Sequence, residues 1–125
     1  MLVLIIDDDS DDCALMSETL QSIIPNVNCV AIESGEAAIK YLRQPVSIPH
    51  YIFLDINMAG MDGKETLLKI KSMKAYSRTR IIMYSGYDND HEKLIYRKLG
   101  ANGYILKSES PDKLLSDVRE VVAVS

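Results

Sequence analysis

The chain is short of the features that mark several common functions. It has only two cysteines, Cys13 and Cys29, and they lack the spacing of a metal site or a disulfide framework. Both are expected to be reduced, buried and apolar in role. Positive charge is scarce too: 14 Lys and Arg face 18 Asp and Glu, for a net charge of -4. A nucleic-acid grip needs clustered positive charge to displace counterions, so direct nucleic-acid binding is not expected. The apolar run Leu2 to Ile6 is brief and closes on three aspartates. It is too short for a membrane span or a signal-peptide core, which makes the cytoplasm the expected compartment and a membrane partner unexpected. Internal repeats, low-complexity tracts and linkers are also missing. The 125 residues suit one domain, 1–125, with no output domain attached.

What remains is the composition of an ordinary folded domain, 47% hydrophobic and 26% charged. Leu2 to Ile6 reads as a strand buried on both faces. Cys13, Met16, Leu20, Ile23 and Ile24 then recur at helical spacing until Pro25-Asn26. Asn28 to Ile32 is a second strand. Ser34 can cap a helix running to about Arg43, with Ala38, Tyr41 and Leu42 inward. Gln44 to His50 is a loop with two prolines, and Tyr51 to Asp55 is a third strand. A helix from about Asp62 buries Leu67 and Ile70. Arg80 to Tyr84 is a fourth strand, ending at Ser85-Gly86. Asp88 or Asn89 opens a helix with Leu94, Ile95 and Leu99 inward and Gly100 as its stop. Gly103 to Leu106 is a short fifth strand delivering Lys107. Ser110-Pro111 starts a last helix striped by Leu114, Leu115, Val118, Val121 and Val122. Strands alternating with helices predict an α/β fold, a parallel sheet with helices on both faces.

The strand ends carry the chemistry. The first strand ends in Asp7-Asp8, the third in Asp55, the fourth in Ser85 and the fifth in Lys107. In a parallel sheet these ends share one edge, where open α/β folds bind ligands. Three carboxylates there repel one another unless a cation joins them, and a hard dication such as Mg²⁺ suits oxygen ligands. A hydroxyl and an ammonium complement phosphate oxygens. Asp55, on the strand followed by a Gly- and Met-rich loop, is the candidate nucleophile for a phosphoryl group.

These residues resemble the receiver domain of two-component response regulators, and the resemblance covers essentially the whole chain. Asp7-Asp8 resembles that family's acidic pair. Leu54 to Met58 with Met61-Asp62-Gly63 resembles its phosphorylation loop. Ser85-Gly86 is similar to its hydroxyl residue and small neighbour, and Tyr104 to Lys107 to its aromatic switch and lysine. The resemblance implies a doubly wound, flavodoxin-like (βα)5 fold with strand order 2-1-3-4-5. It implies a phosphoryl group accepted on Asp55 from a sensor histidine kinase or phosphotransfer protein, with the chain's own aspartyl phosphorylation and dephosphorylation as its only catalysis. Asp8, Asp55 and the Asn57 carbonyl would ligate Mg²⁺, and Asp7 would act through water. Lys107 and Ser85 would hold phosphoryl oxygens while Tyr104 turns inward. Output would pass to a downstream protein through the fourth and fifth helices and the fifth strand, and homodimerisation is left open.

Two residues depart from the family pattern. Ala59 stands where a proline is usual, which predicts a freer loop. Ser108 stands where the family has a cis proline, and a cis bond before a non-proline costs about 2.5–4 kcal/mol, so a trans Lys107-Ser108 bond is expected. Asp9, Asp11 and Asp12 are read as acids favoured at a helix N-terminus. A calcium loop over Asp7, Asp9, Asp11 and Glu18 is set aside, because Asp12 replaces its turn glycine. His50 and His91 are read as solvated, and Lys93, Arg97 and Lys98 as an exposed helical face. Two alternatives stand beside the receiver. One is a haloacid-dehalogenase-like phosphohydrolase using Asp7, and the other is a receiver-like docking module that is never phosphorylated.

Overall fold

The computed structural model describes residues 1–44, 47–108 and 110–123. Pro45, in the loop expected over Gln44 to His50, lies outside the described residues. The strands are β1 (Leu2–Ile6), β2 (Asn28–Ile32), β3 (Tyr51–Asp55), β4 (Arg80–Ser85) and β5 (Gly103–Leu106). The helices are α1 (Ser10–Ile23), α2 (Gly35–Leu42), α3 (Gly63–Lys71), α4 (Asp90–Lys98) and α5 (Pro111–Ala123). All strand pairs are parallel, in the order β2-β1-β3-β4-β5. This is the doubly wound α/β architecture expected from the alternation of elements.

Alternate residues of each strand serve opposite faces, as a period of two requires. Leu4, Ile6, Ile52, Leu54, Ile81 and Met83 pack with residues of α2, α3 and α4. Val3, Ile5, Tyr51, Phe53, Ile82 and Tyr84 pack with α1 and α5. Both faces being covered is why the central strands are apolar throughout.

Local signals set the element limits. Asp9, Ser34, Asp62 and Asn89 each cap a helix by accepting backbone N–H groups of its first turn. Ser110 does the same for α5, accepting from Lys113 N at 3.3 Å. Asn26 at φ 61 follows α1, and Gly100 at φ 106 follows α4. The described residues include no cis peptide bond, so Lys107-Ser108 is trans as expected.

Some placements differ from the sequence reading. Leu94 is 51% exposed, and Tyr96 at 7% takes the inward position on α4. Two residues apart on a helix lie about 200° apart around its axis, so both cannot face the sheet. Ile95 and Leu99 flank Tyr96 and are half-buried. Ile39 is buried on α2, whereas Tyr41 is only half-buried. Cys29 is also half-buried rather than buried, because β2 is an edge strand. A 3-10 turn over Lys74–Tyr76 precedes β4, anchored by the hydrogen bond of the Tyr76 hydroxyl to the Leu42 carbonyl at 2.5 Å.

Candidate functional site

The carboxyl edge of the sheet gathers side chains from four loops. Asp7 follows β1, its N–H held by the Ile32 carbonyl at 3.0 Å, and is 1% exposed. Asp55 ends β3 and is 4% exposed. Asp8 is exposed. Carboxylate oxygens of Asp7, Asp8 and Asp55 all lie within 4.8 Å of one another. Lys107 follows β5, its N–H bonded to the Ser85 carbonyl at 2.7 Å. Its ammonium reaches Asp12 at 2.8 Å, Asp7 at 2.9 Å and Asp55 at 3.5 Å. The same ammonium sits 5.2 Å from the centre of the Tyr84 ring, a cation–π contact.

Backbone donors orient the carboxylates. Asp7 Oδ1 accepts from Asp9 N at 2.9 Å, and Asp55 Oδ1 accepts from Asn57 N at 3.2 Å. Asp8 Oδ2 accepts from Ala59 N at 3.3 Å. That last bond corrects the expectation of a freer loop. A proline at 59 would have no N–H to give, whereas Ala59 ties the loop to Asp8. Glu36 adds a second tie, accepting from Met61 N at 3.0 Å. Neither tie could be read from the sequence, because each joins elements distant in the chain.

Electrostatics follow from the crowding. Burial first, then the charge of Asp7, pushes Asp55 from 3.8 up to about 6, against the opposing pull of Lys107 and the Asn57 N–H. Burial alone would lower the Lys107 ammonium, but its contacts with Asp12, Asp7 and Asp55 hold it above its ordinary 10.5. Asp7 Oδ2 is buried without an aligned hydrogen-bond donor, although the ammonium is near. A carboxylate oxygen so buried needs a cation beside it, and the Lys107 ammonium at 2.9 Å fills that place. Three carboxylates whose oxygens converge, two of the residues being buried, fit a hard divalent cation.

The remaining candidates sit on β4, β5 and the loop after β3. Ser85 ends β4 fully buried, its hydroxyl accepting from Tyr87 N at 3.1 Å. Asn57 is exposed on the loop beyond Asp55. Tyr104 is half-buried, its hydroxyl 3.0 Å from the Tyr87 carbonyl and 3.3 Å from Glu92 Oε2, two acceptors for one proton. Asp9 and Asp11 stay at the helix start, but Asp12 turns onto Lys107. Its position one turn before Met16, on the inward border of α1, was the available signal. His50 and His91 are exposed.

Gly63 shows how tightly the loop is wrapped. A Cβ there would lie 2.5 Å from the Asp55 carbonyl oxygen and 2.6 Å from Ile56 Cα. Both obstacles are backbone, so Gly63→Ala must displace the Asp55 loop. The expected loss is about 2–3 kcal/mol of stability in urea denaturation, with weaker metal binding.

The model of the response regulator receiver domain matches residues 3–119. The chain belongs to this family. It is 28% identical over 109 residues to protein PilG of Pseudomonas aeruginosa, covering 87% of this chain and 81% of PilG. It is 34% identical over 105 residues to the nitrate/nitrite response regulator NarL of Escherichia coli, covering 83% of this chain and 47% of NarL. The chain therefore spans about half the length of that relative. The phosphorylated cyanobacterial phytochrome response regulator RcpA superposes with a TM-score of 0.85 at 29% identity, covering 96% of this chain and 89% of that one. Receivers interact with histidine kinases or phosphotransfer proteins, and phosphorylation on aspartate with a bound divalent metal is typical of them. Family membership sets aside the phosphohydrolase alternative built on Asp7. Among the described residues no helix is long and apolar enough to cross a membrane.

Proposed function

We propose that this receiver accepts a phosphoryl group on Asp55 and passes the change to a protein partner. The observation that carries the reading is the meeting of Asp7, Asp8 and Asp55 oxygens within 4.8 Å of one another beside the Lys107 ammonium. Asp8, Asp55 and the Asn57 carbonyl are the proposed Mg²⁺ ligands, with Asp7 acting through water. When bound, Mg²⁺ supplies the positive charge that lets carboxylates and phosphoryl oxygens share one point. The ionised Asp55 carboxylate is the nucleophile. Its Oδ–phosphorus bond forms as the donor's phosphorus–nitrogen bond breaks, and the departing imidazole nitrogen keeps the electron pair and takes up a proton. Lys107 and the Ser85 hydroxyl are the proposed partners of the transferred oxygens, and positioning is most of what they contribute.

The new group adds about −1.5 to −2 charges at one point. It biases the surface only through contacts better made in one state than the other. Ser85 is the proposed mover and Tyr104 its follower, since the Ser85 hydroxyl and the Tyr104 hydroxyl are both tied to Tyr87. The proposed output face is α4, β5 and α5, where Leu94 on α4 is 51% exposed and Tyr87, in the loop before α4, is 66% exposed. A downstream protein or a second copy of the chain would dock there, in the cytoplasm.

Acetyl phosphate with Mg²⁺ tests the reading by intact-mass spectrometry. One base-labile phosphoryl adduct is expected on the wild type and none on Asp55→Asn. Undiminished labelling of that variant would falsify the assignment, and a wild type that takes no label would favour the docking-module alternative. Removing Mg²⁺ with a chelator should abolish labelling of the wild type.

A further inference from the structure

We infer that Asp12 is a positioning residue that restrains Lys107 until the phosphoryl group arrives, and so slows phosphorylation of Asp55. The inference rests on the Asp55 reading and adds a competitor to it. An ammonium has three N–H donors, and Lys107 has three carboxylates around it, Asp12 at 2.8 Å, Asp7 at 2.9 Å and Asp55 at 3.5 Å. The Asp12 contact is the shortest of the three, and a phosphoryl oxygen arriving on Asp55 must compete with it for the ammonium.

Burial separates Asp12 from the other two. The side chains of Asp7 and Asp55 are 0% and 5% exposed, so Asp7 cannot exchange the ammonium for water, and Asp55 is itself the acceptor. Asp12 is 28% exposed and can be released to solvent. Its backbone stays fixed meanwhile, because Asp9 Oδ1 accepts from Asp12 N at 3.2 Å. A helix-start preference for acids does not account for the contact. Asp11, in the same first turn, is exposed and makes no ion pair among the described residues. Asp12 alone of the two is aimed at the lysine.

The test compares Asp12→Asn, Asp12→Ser, Asp12→Glu and Asp11→Asn with wild type, measuring the rate of acetyl-phosphate labelling in Mg²⁺ at low and high salt. Asp12→Asn and Asp12→Ser are expected to label about fivefold faster, the size of a partly exposed ion pair. Asp12→Glu, which keeps the charge, should stay near the wild-type rate. Asp11→Asn makes the same change in net charge without touching Lys107 and should also match wild type. High salt screens the pair, so the gap should shrink. A gain that persists unchanged in high salt contradicts the ion-pair restraint. Equal rates for Asp12→Asn and wild type would overturn the inference, as would an equal gain from Asp11→Asn. A wild type that takes no phosphoryl group contradicts the Asp55 reading itself, and this inference with it. Asp12→Ser puts a residue of similar helix propensity in the first turn, so a folding defect in one variant leaves the other to decide.

Discussion

Asp55→Asn is expected to make the metal-free protein more stable at pH 8 and hardly to change it at pH 4. Burial and the neighbouring Asp7 raise the Asp55 carboxyl from 3.8 to about 6 in the fold. Below 3.8 the folded and unfolded chains both hold the proton, and Asp55 costs the fold no charge. Between 3.8 and about 6 the unfolded chain releases it while the folded chain keeps it. Stability therefore falls with rising pH through that window, and the penalty is complete above the folded value. At about 1.4 kcal/mol per pH unit, charging Asp55 costs about 3 kcal/mol. Asparagine keeps the shape and removes the charge. Thermal melts in chelator should show a rise of roughly 10 °C for the variant at pH 8, shrinking to nothing near pH 4. Saturating Mg²⁺ should stabilise the wild type and close most of the gap, because ligand binding stabilises only the state that binds. A variant less stable than wild type at pH 8 would mean that Asp55 is not a strained charge.

Lys107→Ala is expected to produce the opposite change. The lysine is the one cation within ion-pair range of Asp7, Asp12 and Asp55 among the described residues. Its ammonium is held above 10.5, so the pairs persist through the neutral range. Truncation leaves Asp7 and Asp55 buried without a counter-charge, which costs about 3–5 kcal/mol when a pair is fully buried. Lys107 is 20% exposed, so the lower end of that range applies. The same change should tighten Mg²⁺ binding several-fold, because in the proposed site the ammonium and the metal draw on the same buried carboxylate of Asp55. Titration calorimetry checks the affinity, and melts with and without Mg²⁺ check the rescue. Unaltered metal affinity would place the competition elsewhere. The variant should also respond poorly to phosphorylation, having lost the proposed partner for the transferred oxygens.

The fold was legible because its signals are local. Apolar runs such as Leu2 to Ile6, caps such as Ser34 and Asp62, and stops such as Gly100 each act within a few residues. The edge constellation was legible for a different reason. A parallel sheet brings strand ends together whatever the loops do, so Asp7, Asp55, Ser85 and Lys107 could be grouped before any coordinates. Contacts that depend on which way a side chain turns were not legible. Asp12 was read as a plain helix-start acid, yet it reaches Lys107 at 2.8 Å. Ala59 was read as a loosened proline, yet its N–H bonds Asp8 at 3.3 Å. Leu94 and Tyr96 compete for one face of α4, and periodicity alone favoured the wrong one.

The central claim is that Asp55, rather than Asp7 or Asp8 beside it, carries the phosphoryl group. Borohydride reduces an aspartyl phosphate to an alcohol while leaving a free carboxylate intact, so it writes the acceptor's position into the chain. After acetyl phosphate, Mg²⁺ and reduction, peptide sequencing by mass spectrometry should find homoserine at position 55 and unmodified Asp7 and Asp8. Homoserine at position 7 or 8, or at none of the three, would contradict the account.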